Sequence, residues 1–218
     1  MEKLFFPSGG LKLEAMLEVP VGKGPFPTGV VAHPHPQFGG SMHNNVVFAL
    51  GNALSNCGFV SLCFNFRGVG KSQGRYGDIS GEADDIIAAA EFLKSRPGVS
   101  PSRLVLCGYS FGGLAALHAL ARGLEPLALV LVSPMLPEGG IEHDRELGKI
   151  LPLKFPTLIL SGEQDQFFDN RFYQPLLSGS KAFSKLAKVK DADHFWSGSE
   201  PEIIAQAKVF LDSIPKIS

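Results

Sequence analysis

The residues with the clearest chemical potential lie in the segment Gly108-Tyr109-Ser110-Phe111-Gly112, a G-x-S-x-G pattern that follows the apolar run Leu104-Val105-Leu106-Cys107. In a sharp turn between a strand and a helix, the hydroxyl of such a serine is lifted clear of the sheet, and glycines on either side prevent neighbouring side chains from colliding. The pattern therefore predicts a strand, a tight turn and a helix, with Ser110 as a nucleophile.

A histidine near the end of the chain supplies the second chemical group. A serine hydroxyl is a weak nucleophile at neutral pH, so it needs a base to accept its proton. His194 lies in the segment 191–196 (DADHFW), after a strand predicted at 183–189 and before the final helix. Loops that follow parallel strands gather at one edge of a sheet. His194 is therefore the predicted general base, and Asp193 beside it is interpreted as a turn residue.

The third group is an acid that orients this histidine. An apolar strand predicted at 157–160 is followed by a loop that carries Asp165 at the same edge of the sheet. Glu163, nearer the strand end, and Asp169, which is suited to cap the next helix, are the competing acids. Asp165 is the favoured acid.

Attack of a serine on a carbonyl group creates negative charge on the carbonyl oxygen, which two hydrogen-bond donors must stabilise. The N–H of Phe111, directly after the nucleophile, supplies one donor by its position. The second is expected from the loop His33-Pro34-His35-Pro36-Gln37-Phe38-Gly39-Gly40. Because prolines lack an N–H, His35 and Gln37 are the candidates, and His35 is favoured.

The same loop permits a metal-binding alternative. His33 and His35 have the H-x-H spacing of some metal sites, but no third ligand is evident nearby in the sequence. We therefore expect no metal.

A second alternative concerns the segment Asn65-Phe66-Arg67-Gly68-Val69-Gly70-Lys71-Ser72, which ends in the GKS of a phosphate-binding loop. That motif requires glycine at the position where this chain has Asn65. It also requires a helix that begins at Lys71, and glycines at positions 74 and 77 would interrupt such a helix. Arg67 is interpreted instead as an anchor for this loop, through hydrogen bonds to carbonyl groups. We expect neither nucleotide binding nor any other cofactor.

The order of predicted elements defines the fold class. An N-terminal hairpin precedes alternating strands and helices, and several strands are apolar runs of the kind buried on both faces. The pattern predicts one α/β domain, residues 1–218, with a doubly wound, mostly parallel sheet and helices on both faces. Segment 134–155 is long enough for one short helix but not for a lid domain. The predicted strands are 3–6, 11–19, 28–32, 59–64, 104–107, 127–132, 157–160 and 183–189. The predicted helices are 46–57, 82–95, 114–122 and one that begins at 199. Ser80 and Ser199 are the expected caps of the second and the last of these helices.

Charge and cysteine usage argue against several classes of protein. The chain has 20 basic and 21 acidic residues, so no global charge favours nucleic acid or an anionic membrane. No segment approaches the ~18 apolar residues of a membrane span, and the apolar run at the start is too short for a signal peptide. Three cysteines at 57, 63 and 107 are interpreted as reduced core thiols, which predicts a cytoplasmic location. The oligomeric state, a homodimer included, stays open.

Four motifs in this sequence occur in the order typical of one protein family. They are the Gly108–Gly112 turn, the loop Arg67–Gly74 (RGVGKSQG, similar to R-G-x-G-x-S-x-G), the Gly162–Asp165 turn and the Asp193–Phe195 segment. With them the chain resembles the α/β-hydrolase superfamily, most closely its small lidless branch akin to dienelactone hydrolases. Those enzymes carry cysteine where this chain has Ser110, and many relatives have His-Gly in the loop that here reads HPHP.

The resemblance implies a serine hydrolase that cleaves short- to medium-chain carboxylic esters through an acyl-enzyme on Ser110. Its substrate would be a small molecule. With little insertion at 134–155, the site is expected to be open and shallow, with Phe38, Phe167 and Trp196 in an apolar acyl wall. Thioester or peptide substrates are alternatives for the same residues. A non-catalytic hydrolase-like binding module is the alternative from a different class.

Overall fold

The computed structural model describes residues 1–137, 139–167, 170–178 and 184–214. Within these residues the chain forms an eight-stranded sheet in the order β1-β2-β4-β3-β5-β6-β7-β8. The N-terminal strands β1 and β2 pair antiparallel with each other, β2 pairs antiparallel with β4, and all other neighbours are parallel. The strands are β1 (Glu2–Ser8), β2 (Leu11–Glu18), β3 (Phe26–Ala32), β4 (Val60–Phe64), β5 (Val99–Tyr109), β6 (Ala128–Val132), β7 (Thr157–Gly162) and β8 (Lys185–Val189).

Helices cover both faces of this sheet, because successive side chains of a strand point to opposite faces. On β5, Leu104 and Leu106 pack into one buried cluster with helices α2 and α3, whereas Val105 and Cys107 pack into a second cluster with α1 and α5. The predicted doubly wound α/β fold is confirmed. The helices are α1 (Asn45–Asn56), α2 (Ser80–Lys94), α3 (Phe111–Ala121), α4 (Asn170–Leu177) and α5 (Glu200–Ser213).

Several predicted boundaries differ from the structure. Helix α3 begins directly after Ser110, three residues earlier than predicted, and β5 is longer at both ends. Ser80 lies inside the first turn of α2, where its hydroxyl accepts a hydrogen bond from Arg122, and Ser199 makes no capping hydrogen bond with its side chain. Ser80 is therefore not a cap, whereas Ser199 occupies the N-cap position of α5 but lacks the expected side-chain hydrogen bond. Position 183, where the last strand was predicted to start, lies outside the described residues.

The segment between β6 and β7 is short and packs against the body of the protein. Its described part contains two 3-10 helices, Ile141–His143 and Leu147–Ile150, where one short helix was predicted. The ring of His118 on α3 contacts the Glu146 carboxylate at 3.2 Å and so ties this segment to the sheet-covering helix. No lid domain forms in the residues that the structure describes.

Two further expectations concern cysteines and membranes. Cys63 and Cys107 are buried, Cys57 is half-buried, and all three are unpaired, in agreement with the prediction of core thiols. Among the helices described, none has the length and apolar character needed to cross a membrane.

Candidate active site

Ser110 occupies a strained turn between β5 and α3. Its backbone has φ 52° and ψ −117°, a conformation that residues other than glycine rarely adopt. A Cβ atom on Gly108 would overlap the carbonyl of Gly112, and one on Gly112 would overlap the carbonyl oxygens of Ala32 and His33. Glycine at both positions thus allows the turn to close and brings the start of α3 against the loop after β3.

The side chains of Ser110, His194 and Asp165 form a continuous chain of contacts. His194 Nε2 lies 3.2 Å from Ser110 Oγ, and its Nδ1 lies 3.1 Å and 3.2 Å from the two Asp165 carboxylate oxygens. The residues come from the ends of β5, β7 and β8, more than 25 positions apart in sequence. A carboxylate at Nδ1 holds the proton on that nitrogen and leaves Nε2 free to accept the serine proton.

The Asp165 carboxylate is stabilised in its ionised form. Burial by itself raises the pKa of Asp165, but hydrogen bonds from His194 and Ser133, the charge of His194 and the Phe167 N–H outweigh it, and the pKa is lowered overall. The Phe167 N–H donates to Asp165 Oδ1 at 3.0 Å. Asp165 therefore stays negatively charged at neutral pH and keeps the imidazole oriented. Glu163, a competing acid, is exposed, and Asp169 lies outside the described residues.

Close backbone contact holds the acid loop against the histidine loop. The N–H of Gln164 donates to the Ala192 carbonyl at 2.9 Å, and a Cβ on Gly162 would overlap that same carbonyl. Asp193 Oδ1 accepts hydrogen bonds from the N–H groups of Phe195 and Trp196, as a turn residue does.

The two backbone segments with predicted oxyanion donors lie side by side. The His35 ring packs on the Phe111 ring, with 4.6 Å between centroids, so the loop after β3 covers the start of α3. In this loop the Gln37 N–H donates to the His35 ring at 3.2 Å, whereas the His35 N–H has no hydrogen-bond partner among the described residues. Of the two candidates for the second donor, only the His35 N–H is thus free for a ligand.

His33 is a structural histidine in this arrangement. It is fully buried, its Nδ1 lies 2.6 Å from the Pro34 carbonyl oxygen, and its Nε2 accepts from the Phe66 N–H at 3.1 Å. Burial lowers its pKa to about 4, despite the opposing effect of the Pro34 hydrogen bond, so the ring is neutral. Both ring nitrogens are occupied, which argues against a metal pair with His35. Across the described ranges, no three His, Cys, Asp or Glu side chains form a group suited to a metal ion.

The segment Asn65–Ser72 folds around an internal carboxylate. Glu14 Oε2 accepts hydrogen bonds from the Asn65 side chain at 3.0 Å and from the Lys71 N–H at 2.9 Å. A phosphate-binding loop offers such amide groups to a ligand and opens a helix, whereas here the next helix begins only at Ser80. The structure therefore opposes the nucleotide-binding alternative.

Arg67 anchors this loop through a carboxylate and not through carbonyl groups, so that prediction is corrected. Its Nε and one terminal nitrogen contact the two oxygens of the fully buried Asp85 at 3.0 Å and 2.7 Å. The Arg67 backbone N–H and the Ser8 hydroxyl also donate to Asp85, at 3.0 Å and 2.7 Å. A buried carboxylate requires a paired cation and further hydrogen-bond donors, and a bidentate guanidinium supplies both.

A cavity of about 570 Å³ opens beside Ser110. Phe38 and Phe167 line it, as predicted for an acyl wall, together with Met135 and Leu136 from the segment after β6. Trp196 does not line it, and that prediction is wrong. The turn at Trp196, which has φ 59°, directs the indole into the core, where the side chain is completely buried.

Several residues at this site were missed from the sequence, among them Ser133 and Tyr109. Ser133, at the end of β6, lines the cavity, accepts a hydrogen bond from the Trp196 indole at 2.9 Å and contributes to the lowered pKa of Asp165. Tyr109 donates its hydroxyl to the His194 carbonyl at 2.8 Å. The position of Ser133 at the end of a parallel strand was the available signal, since Asp165 and His194 were found by that criterion.

Comparison with known proteins places this chain in a family. Residues 29–151 match the family model described as serine aminopeptidase, S33. An uncharacterised protein of Rickettsia prowazekii (strain Madrid E) is 33% identical over 193 residues, which cover 86% of this chain and 79% of that protein.

Two solved structures extend the similarity to the fold. A protein of Xanthomonas campestris, described as an α/β serine hydrolase without a lid, has a TM-score of 0.82 at 28% identity over 100% of this chain and 96% of its own. An α/β serine hydrolase homologue from Coxiella burnetii has a TM-score of 0.81 at 28% identity over 95% of this chain and 96% of its own. The chain therefore belongs to the family described as serine aminopeptidase, S33, and with it to the α/β-hydrolase superfamily, as the sequence motifs predict.

Proposed function

We propose that this protein is a serine hydrolase that cleaves short- to medium-chain carboxylic esters, with Ser110 as nucleophile, His194 as general base and Asp165 as the acid that orients it. The observation that carries the proposal is the bridging position of the His194 ring, 3.2 Å from Ser110 Oγ and 3.1 Å from Asp165. A proton donor and acceptor at these distances meet the requirement for proton transfer during attack.

The reaction follows from these contacts. Ser110 Oγ bonds to the ester carbonyl carbon while its proton passes to His194 Nε2, and the carbonyl oxygen becomes an oxyanion that the N–H groups of Phe111 and His35 stabilise. The carbon–oxygen bond to the alcohol then breaks, and His194 returns the proton to that alcohol. Water, activated by the same histidine, releases the acid from Ser110 and restores the hydroxyl.

A fluorophosphonate probe tests the nucleophile directly. We expect stoichiometric labelling of the wild-type protein and none of Ser110→Ala. Ser102→Ala is a matched control that should label normally, since Ser102 is exposed near the opposite end of β5 and does not line the cavity. Labelling that persists in Ser110→Ala, or a wild-type protein that does not react, would contradict the proposal. A non-catalytic binding module would give the second result.

The ester preference is tested with p-nitrophenyl esters of two to twelve carbons, an acyl-CoA and a peptide amide. We expect hydrolysis of the shorter esters to be fastest, because the cavity is open and of limited volume. The family description names an aminopeptidase. Faster cleavage of the peptide amide or the thioester would replace the ester assignment while keeping the same three residues.

A further inference from the structure

Three exposed apolar side chains converge on the cavity beside Ser110. They are Phe38, which is 85% exposed, Phe167, which is 65% exposed, and Met135, which is 40% exposed. Each comes from a different loop, after β3, β7 and β6 respectively, and all three line the cavity. Large apolar side chains are costly to leave in water, and a cluster of them at one opening is typical of a surface that binds an apolar ligand.

The two phenylalanine rings are fixed on the loops that carry the chemistry. The Phe38 ring packs against the His35 ring with 4.8 Å between centroids. The Phe167 ring meets the His194 ring edge-on, with 4.9 Å between centroids, and the Phe167 N–H donates to Asp165. Because both rings are held at one side and exposed at the other, they offer aromatic surface to a ligand without rearrangement of the loops.

We propose that this site prefers esters that carry an aromatic ring close to the scissile carbonyl; the inference rests on the ester-hydrolase function proposed above. Aromatic rings attract one another through their quadrupoles in edge-on and offset geometries, and a thioether such as that of Met135 also favours an aromatic partner. An aliphatic group of equal size gains only from burial. The cavity of about 570 Å³ holds a ring together with a short chain.

Matched pairs of esters separate aromatic recognition from simple burial. The first pair is ethyl 3-phenylpropanoate and ethyl 3-cyclohexylpropanoate, which differ on the acyl side; the second is benzyl acetate and cyclohexylmethyl acetate, which differ on the alcohol side. The cyclohexyl group is the more apolar, so burial alone favours it. We expect kcat/KM to be about five- to tenfold higher for the phenyl compound in at least one pair, in line with the known strength of ring pairs.

Three variants assign the preference to these rings. Phe38→Leu and Phe167→Leu retain apolar surface but remove aromatic faces, and at least one of them is expected to reduce the phenyl-to-cyclohexyl ratio to about that of simple burial. Phe5→Leu is the control, since Phe5 is 50% exposed on the edge strand β1 and does not line the cavity; this variant should keep the wild-type ratio.

The outcomes distinguish this inference from the proposed function. If both cyclohexyl esters are hydrolysed as well as the phenyl esters or better, the aromatic preference is overturned while the ester hydrolase stands. If the phenyl preference persists unchanged in both Phe38→Leu and Phe167→Leu, the assignment to these rings is overturned. If no ester is hydrolysed and Ser110 is not labelled by fluorophosphonate, the proposed function fails and the inference with it.

Discussion

The indole N–H of Trp196 donates a hydrogen bond of 2.9 Å to the hydroxyl oxygen of Ser133, and both side chains are buried. An indole N–H can only donate, so the Ser133 oxygen must accept and its own proton is directed elsewhere. Interaction with the Ser133 hydroxyl is one of the causes of the lowered pKa of Asp165, which makes this carboxylate the natural acceptor for that proton. A buried tryptophan outside the cavity is thereby linked to the carboxylate that contacts His194.

Loss of this link should change the pH dependence of hydrolysis. In Ser133→Ala and in Trp196→Phe, the Asp165 carboxylate loses part of the interaction that lowers its pKa, so a proton at this site is held more tightly. We expect the acidic limb of the kcat/KM profile to move to higher pH by about half a unit, the size of one neutral hydrogen bond. The measurement is kcat/KM as a function of pH for each variant and the wild type, with the ester that is hydrolysed fastest.

The control for this prediction is Ser161→Ala. Ser161 is a buried serine on the neighbouring strand β7, and within the described part of the chain its hydroxyl bonds only to the Gly162 carbonyl. The pH profile of kcat/KM for this variant should not shift. A Ser133→Ala enzyme that loses activity without any shift in pH profile would mean that Ser133 has a packing role alone.

Gly162→Ala should separate the acid from the base. The new methyl group would overlap the Ala192 carbonyl and push the loop of Asp165 away from the loop of His194. A misplacement of about 1 Å in such a constellation costs about 100-fold in rate, and we expect a loss of that order in kcat/KM. Gly148→Ala is the matched control, since its nearest neighbour would be the Glu142 carbonyl at an ordinary 3.6 Å. Equal activity of both variants would contradict the prediction.

His33 should make the protein less stable in mild acid. The ring is neutral when folded, with a pKa of about 4, against 6.5 for an ordinary histidine. Above pH 6.5 neither state takes up a proton at this ring, but as the pH falls from 6.5 towards 4 the unfolded state binds a proton and the folded state does not. The free energy of unfolding should therefore fall by about 2 kcal/mol between pH 7.5 and pH 5 through this residue.

Urea unfolding at the two pH values measures this effect. In His33→Gln the difference in unfolding free energy between pH 7.5 and pH 5 should shrink by about that amount relative to wild type. The exposed residue His43 provides the control variant His43→Gln, which should keep the wild-type difference. An unchanged pH dependence in His33→Gln would show that the ring is protonated normally.

The ion pair of Arg67 and Asp85 should be essential for stability. Arg67→Met leaves the fully buried Asp85 carboxylate without its cation, and we expect a loss of about 3–5 kcal/mol in unfolding free energy. Arg122→Met is the contrasting variant, because its partner Asp84 is 57% exposed and such pairs contribute about 0–1 kcal/mol. Denaturant titration compares the two. Similar losses in both variants would argue against a special role for the buried pair.

The proposed site could be located from the local sequence because its residues follow strands that can be recognised there. The strand before Ser110 and the strand before Asp165 are apolar runs, and a parallel sheet brings the carboxyl ends of such strands to one edge. The structure places His194 within hydrogen-bond distance of both Ser110 and Asp165.

Other features could not be read from the sequence. Whether Trp196 enters the cavity or the core depends on the backbone turn that precedes it, and the pairing of Arg67 with Asp85 depends on how α2 packs on the sheet. Both are decided by contacts between distant segments, whereas sequence patterns report mainly on local conformation.

The sequence by itself determined the order of strands and helices and the positions of the turns, since apolar periodicity and glycine act locally. Only the tertiary structure decided which side chains share a surface. Ser133 and Trp196 are 63 positions apart, and Phe38, Met135 and Phe167 come from three separate loops. Such groups meet because the core packs in one way, and packing is a property of the whole chain.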